Sequence, residues 1–397
     1  MTTSHDTALD SLTSWLVALL GMVLLVLIWG MIFTFTVYSQ PIEAAFGLSS
    51  LRVSSVFSIT TATFYIAGGA IGVVISRAPL RPVVAVSGLV FAIAAGLLEV
   101  VSSYPGVLLA FALLGTAGGT IFVVVVSLVP QWFDEYQGRA MGVTMIGNGL
   151  GVFVLPPVWV FLLERMSITE AFVVVGWGTA AVILLSSLLY RRPPGVRAAA
   201  STPVDTAWLR ARLTDRAFLA AIAGFALLWS WYFVLSADFV GILTENGIGR
   251  TVAATAFGIV GGISVVTRVA GGAVADRLGL RVTMTAGVVF AAIGMGGLPL
   301  ATTTLAMYVL LAFFGVGLGV AASLFSPIIL ERFGATNATA IIGVFTIAEA
   351  TTAISIPLLL NVLRDLSGGY TVPLVVVTAL TLLGAALFYR GTASQSA

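Results

Sequence analysis

Two residues able to do chemistry stand inside segments apolar and long enough to cross a bilayer. Arg268 lies in FGIVGGISVVTRVAGGAVADRLGLR (257–281), and Glu349 lies in GVFTIAEA (343–350). A cation near the bilayer midplane costs ~2.5–3.5 kcal/mol on insertion scales, so it faces a protein interior or a watery cavity and marks an ion or substrate path. A guanidinium offers a planar fork of donors that fits a carboxylate, and a glutamate at the same level can take up a proton. Counting ~1.5 Å per residue along each span puts Arg268 roughly 4 Å and Glu349 roughly 2 Å to the same side of their helix centres. Mutual pairing in the empty protein would spare each charge the cost of standing alone in low dielectric. The alternative is a fixed helix-to-helix salt bridge with no substrate role.

Other side chains are candidates beside this pair. Asn148, central in its span, could hydrogen-bond a substrate oxygen or lock two helices together. Ser264 precedes Arg268 by one helical turn. Trp29, Trp229, Trp231 and Tyr232 lie near the centres of the first and seventh spans, as cavity walls or as packing. Thr60, Thr61, Thr63 and Tyr65 make the second span polar, with hydroxyls that can satisfy carbonyls of their own helix. Glu99, Asp238 and Glu245 lie toward outer helix ends, where they reach headgroups or an outer gate. Gly115, Gly119, Gly147, Gly151, Gly315 and Gly319 permit close helix crossings.

The chain has no cysteine, and its one histidine, His5, sits in the polar N-terminal tail. No disulfide framework, thiol chemistry or His-based metal site is available, and no cofactor is implied. The spans contain no paired carboxylates within one turn and no nucleotide-binding loop, so an enzyme is not expected. Energy should come from ion or solute gradients.

The elements that must position these residues are membrane helices. The chain of 397 residues is 59% hydrophobic and 9% charged, against about 25% charged in soluble domains. Breaks at Gly, Pro and charged clusters give twelve spans: 14–39, 51–76, 82–102, 106–131, 138–162, 169–190, 217–243, 252–275, 282–301, 304–330, 338–362 and 371–389. The polar stretch between the sixth and seventh reads as a linker (191–216) joining an N-terminal half (1–190) to a C-terminal half (217–397). The N-terminus lacks a basic n-region and the apolar run behind it is too long for a signal peptide, so the first segment is expected to stay as a helix.

The 18 basic residues are all arginines. With the N-terminus in the cytosol, thirteen fall inside (77, 81, 139, 191, 192, 197, 210, 212, 216, 277, 281, 332, 390) and four outside (52, 165, 250, 364). That asymmetry predicts cytoplasmic termini and linker in a multi-pass protein of the cell inner (plasma) membrane. The positive charge reports topology, not nucleic-acid binding. A shift of 200 residues superposes Trp29 on Trp229, Gly47 on Gly247, Gly72 on Gly272, Arg77 on Arg277, Arg81 on Arg281, Gly115 on Gly315, Gly119 on Gly319, Phe133 on Phe333 and Pro157 on Pro357. Two parallel six-helix repeats suit a transporter with a site at their interface. In this register Arg268 meets Gly68 and Glu349 meets Gly149, so the charges of the site belong to one half.

Gly272-Ala-Val-Ala-Asp276-Arg277-Leu-Gly279-Leu-Arg281 resembles the major facilitator signature GxxxDRxGxR, and Arg77 and Arg81 repeat it with Ser76 in place of the acid. The resemblance implies an all-α major facilitator fold, with twelve transmembrane helices in two six-helix repeats. It also implies an inner gate built on Asp276, Arg277, Arg281, Arg77 and Arg81. Within that superfamily the chain is similar to the monocarboxylate and oxalate:formate branch. The similarity is carried by FTFTVYSQPIEAAFGLSS (33–50), by QWFDEYQGRAMGVTMIGNGLGVFVLPP (131–157), whose Arg139 is placed with the gate, and by VTRVAGG (266–272). The branch's substrate-binding arginine matches Arg268. The animal carriers' acid one turn earlier is replaced by Ser264, and their first-helix lysine has no equivalent. Oxalate-type members carry a lysine where this chain has Glu349.

An arginine with an acid suits a monoanion and a proton better than a dicarboxylate. The expectation is therefore a monomeric, proton-coupled carrier of a small monocarboxylate such as lactate or pyruvate. Arg268, Glu349, Asn148, Ser264, Trp229 and Tyr232 are its candidate substrate contacts, and Glu349 its proton acceptor. Exchange or export of another solute, such as a drug or larger anion, and a non-transporting membrane sensor are the alternatives.

Overall fold

In hydrocarbon no water satisfies backbone N–H and C=O groups, so each apolar run must bond within itself as a helix. A computed structural model of the chain shows this throughout residues 9–74, 79–191, 193, 212–334 and 338–393, the residues it describes. The first half of the chain forms α1 (Leu12–Ile32), α2 (Phe35–Phe46), α3 (Ser50–Val74), α4 (Leu80–Val100), α5 (Tyr104–Leu128), α6 (Gln137–Leu163) and α7 (Ile168–Leu189). The second forms α8 (Arg216–Leu228), α9 (Ser230–Glu245), α10 (Arg250–Leu278), α11 (Leu280–Gly297), α12 (Thr304–Phe333), α13 (Ala338–Ser367) and α14 (Thr371–Gly391). Twelve stretches among the described residues are long and apolar enough to cross a membrane, and no strand occurs there. Most of the expected linker, 191–216, lies outside the described residues.

The first and seventh spans are each broken in two. α1 gives way to α2 at Phe33–Thr34, and α8 to α9 at Trp229. Side chains take up carbonyls around the first break: the Thr34 hydroxyl bonds the Gly30 carbonyl, and the Tyr38 hydroxyl donates to the Met31 carbonyl at 2.5 Å. Local side-chain bonding of this kind lets membrane helices interrupt their ladders.

The repeat seen in the sequence is a repeat in space. α2 and α9 end in turns where Gly47 and Gly247, 200 residues apart, adopt φ of 59° and 83°, a conformation that favours glycine. Within the halves, α3 packs on α5 as α10 packs on α12, and α1 packs on α6 as α8 packs on α13 and α14. Gly115 and Gly119 bring α5 against the backbone of α3 at Thr60 and Phe64; Gly315 and Gly319 bring α12 against α10 in the same way. The halves meet along α3 with α13, α6 with α10, and α2 with α9. At the α6–α10 crossing, a side chain on Gly149 would meet Val265, Ser264 and the Gly261 carbonyl within 2.7–2.9 Å.

A bulky residue at such a crossing must push the paired helices apart. Gly119→Leu is expected to destabilise the fold by about 1–3 kcal/mol or more, as overpacked sites do. Monodisperse yield after graded heating, followed by fluorescence-detected size exclusion, checks this.

Candidate substrate site

Helix positions set the depth of the central polar residues. Arg268 is ten residues, or ~15 Å, from the end of α10 on the face that carries the chain termini, and Glu349 eleven residues, or ~16 Å, from the corresponding end of α13. Counted along their helices they lie at similar levels. They do not form a salt bridge: the three ion pairs among the described residues are Arg165–Glu164, Arg212–Asp215 and Arg364–Glu245. Their expected pairing is therefore corrected for this conformation.

Two tyrosines neighbour these charges. Glu349, 8% exposed, accepts a hydrogen bond at Oε1 from the Tyr65 hydroxyl of α3, 2.9 Å away and in the other half. Tyr232 of α9 interacts electrostatically with both Arg268 and Glu349, and also neighbours Tyr65. Its hydroxyl accepts from Trp29 Nε1 at 3.2 Å, a second bond between the halves. Glu349 is thus held by a phenol of the other half instead of by the guanidinium. Arg268 itself is half-buried, and its Nε is shielded from solvent with no hydrogen-bond partner.

The remaining predicted residues divide. Asn148 is buried, with Nδ2 near the Met145 sulfur at 3.9 Å and Oδ1 without a partner. Ser264 is fully buried against Gly149 at the α6–α10 crossing, and its hydroxyl donates to the Gly261 carbonyl at 2.7 Å. Trp229 is buried, stacked with Trp231 and edge-on to Phe225 and Tyr232. Its indole N–H has no partner. The hydroxyls of Thr60, Thr61 and Thr63 bond carbonyls of α3 at Val56, Phe57 and Ile59.

The described residues among those expected to form an inner gate lie on the termini face. Asp276, Arg277, Arg81 and Arg139 are exposed, and Arg281 is half-buried against the Tyr389 ring. Arg81 reaches the Leu188 carbonyl and Arg139 lies over Tyr136. None of these five is in an ion pair among the described residues; Arg77 lies outside them.

Polar contacts between the halves concentrate toward the opposite face. There Arg250 Nη1 donates to Gln40 Oε1 at 2.5 Å, Val240 N–H to the Thr36 hydroxyl at 2.7 Å, Asn361 Nδ2 to Ser54 Oγ at 2.6 Å, and the Ser58 hydroxyl to the Ile354 carbonyl at 3.0 Å. Trp29–Tyr232 and Tyr65–Glu349 continue the seam to mid-depth. Toward the termini face the described residues add the apolar contact of Gly69 with Ile347. The seam is hydrogen-bonded on the far face, and the described residues of the signature motif on the near face are in no ion pair.

Helices that are broken, repeated and joined in this way define a known architecture, and comparison names it. The Major Facilitator Superfamily profile matches residues 18–357. The chain belongs to that superfamily. It is 25% identical over 379 residues to monocarboxylate transporter 13 of Rattus norvegicus, covering 93% of this chain and 87% of the relative. It is 25% identical to monocarboxylate transporter 2 of Mus musculus over 89% of this chain and 80% of that one. It is also 24% identical to the oxalate:formate antiporter of Oxalobacter formigenes over 68% and 65%. The crystal structure of a D-xylose-proton symporter superposes with a TM-score of 0.71 at 16% identity, covering 95% of this chain and 96% of that one. The protein is a multi-pass membrane transporter of the major facilitator fold, not an enzyme.

Tyr65 is the site residue that sequence reasoning set aside as a helix-satisfying hydroxyl. Its depth could have found it: nine residues, or ~14 Å, from the near end of α3, it is level with Glu349. A double-mutant cycle of Tyr65→Phe and Glu349→Gln is expected to show ~1–2 kcal/mol of coupling in unfolding free energy. Strictly additive effects would mean that the bond contributes nothing.

Proposed function

We propose that this transporter carries a small monocarboxylate, such as lactate or pyruvate, together with a proton, by alternating access. One observation carries the reading: Arg268 holds a cation at mid-depth, level with an acid that is bonded elsewhere. A substrate carboxylate would complete the guanidinium through charge-assisted hydrogen bonds. The relatives named monocarboxylate transporters support the substrate class.

In this scheme the substrate need not displace Glu349, because Tyr65 holds that carboxylate. The empty site carries one cation and one anion. Loaded, it carries the cation, the substrate anion and a protonated Glu349, so its net charge is unchanged and the two halves can rock around it without moving charge through low dielectric. Tyr232, which feels both charged groups, would contact the substrate, and Asn148 supplies an unpartnered amide oxygen from the first half. With the termini in the cytosol of a plasma-membrane protein, the hydrogen-bonded far seam would be the outer face, and this conformation would be the one that admits substrate from the cytoplasm. Asp276, Arg277, Arg281, Arg77, Arg81 and Arg139 would close the cytoplasmic face in the alternate state. Each carrier acts as a monomer, with 1–190 and 217–397 as the rocking bodies.

Uptake of radiolabelled lactate or pyruvate into proteoliposomes tests this. Arg268→Ala is expected to lose roughly 10–100-fold in uptake, the scale of a lost charged hydrogen-bond partner. Glu349→Gln should retain counterflow but no longer accumulate substrate in response to an imposed pH gradient. Unchanged uptake by Arg268→Ala would overturn the reading.

A further inference from the structure

Away from the central site, on the face opposite the termini, α2, α3, α9 and α13 leave a cavity of about 620 Å3. Its wall carries Glu43, Asp238, Glu245, Arg364 and Tyr370. Arg364 is already engaged, with Nη2 3.3 Å from Glu245 Oε2 and the guanidinium over the Tyr370 ring. Glu43 accepts from the Ser50 hydroxyl at 3.3 Å. Asp238, seven residues or ~10 Å from the end of α9, is the deepest of the three acids along its helix. Its Oδ2 accepts from Asn361 Nδ2 at 3.3 Å.

Asn361 is fully buried. Its amide nitrogen also donates to Ser54 Oγ across the seam, at 2.6 Å, and to the Pro357 carbonyl at 3.1 Å. Its amide oxygen is buried without a hydrogen-bond partner. A buried acceptor with no donor is a deficit that a protein normally fills. A protonated Asp238 would fill it. A carboxylic acid donates through one oxygen and accepts through the other, so it can pair with a primary amide by two antiparallel hydrogen bonds. One of those two contacts, Asn361 Nδ2 to Asp238 Oδ2 at 3.3 Å, is already in place, sharing the amide's two hydrogens with Ser54 and Pro357. An ionised carboxylate cannot supply the other. Turning the amide over would set its oxygen against the carboxylate, which is favourable only when that carboxylate carries a proton.

The charged and titratable groups around Asp238 are Glu43 from α2, Glu245 on its own helix, Arg364 from α13 and the Tyr370 phenol beside α14. Arg250 of α10 is turned to Gln40.

We propose that Asp238 and Asn361 form a proton-binding site, distinct from Arg268 and Glu349, whose occupancy holds the far seam shut. The proton comes from water in the vestibule and binds the carboxylate oxygen not held by Asn361, which then donates to the Asn361 oxygen and can still accept from the neighbouring Tyr370 hydroxyl, while the amide nitrogen keeps Ser54. When the halves separate, Ser54 leaves, Asp238 hydrates and the proton returns to water. The closed form therefore binds the proton more tightly than the open form, and by linkage acid pH favours closure.

The natural chain has no cysteine, so a single Ala237→Cys in full-length protein reports the seam. Ala237 is 2% exposed on the cavity wall. Labelling by a membrane-impermeant maleimide in proteoliposomes is measured against a free thiol at the same pH. Going from about pH 8 to about pH 5, the relative rate is expected to fall at least about fivefold. Asp238→Asn should label slowly at both values, and Asn361→Ala quickly at both. Ser54→Ala, which removes only the acceptor across the seam, should also label quickly at both and serves if Asn361→Ala does not fold. Arg268→Ala should keep the full pH response even where it abolishes substrate uptake. A wild-type pH response in Asp238→Asn, slow acid labelling in Ser54→Ala, or loss of the response in Arg268→Ala would each overturn the proposal.

Discussion

A guanidinium two-thirds of the way along a membrane helix, without a carboxylate to neutralise it, is the constraint on which the centre of this protein depends. Arg268 cannot face lipid cheaply, so α10 must keep that position within the protein. The phenol of Tyr232 stands beside it, and Tyr232 is tied through Trp29 to the other half. The acid at the same level follows a parallel route, from Glu349 through Tyr65 to α3. The acid of the site therefore reaches the first half through a neutral hydroxyl, and the guanidinium has no ion-pair partner in either half among the described residues. A neutral bridge can be exchanged for a ligand without uncovering an unpaired buried ion, which is what breaking a buried salt bridge does.

Much of this was legible in the sequence because the bilayer allows few solutions. Every expected span is present, with ends displaced by a few residues at most places, since apolar length and Gly or Pro punctuation report directly on the one structure lipid tolerates. The repeat was legible because Gly47 and Gly247 occupy matching turns and Gly115, Gly119, Gly315 and Gly319 occupy matching crossings. The shared depth of Arg268 and Glu349 followed from helical rise alone. Depth, however, does not give azimuth. Rise per residue cannot tell whether two side chains at one level point at each other, so the Tyr65–Glu349 bond and the absence of an Arg268–Glu349 pair needed the packing of α3 on α13. The breaks at Phe33–Thr34 and Trp229 were likewise hidden, because composition there stays apolar while side-chain hydroxyls replace the ladder.

The asymmetry between the repeats has a packing cause. Gly149 stands where the second half has Glu349, and at that position α6 lies directly against α10 near Ser264 and Gly261. A side chain there would push away the helix that carries Arg268. The first half thus supplies closeness where the second supplies charge, and a transporter with a carboxylate in both places could not bring α6 and α10 together in this way.

The seam on the far face also has a consequence for how the protein responds to its medium. Its polar contacts pair Arg250 with a neutral glutamine, a backbone N–H with a threonine, and amides or hydroxyls with one another. None of the three ion pairs among the described residues crosses it. Screening by dissolved salt weakens attraction between charges far more than it weakens contacts between short-range dipoles. Closure of this face is therefore set by wetting and hydrogen bonding, and it should hold nearly as well in brine as in dilute buffer.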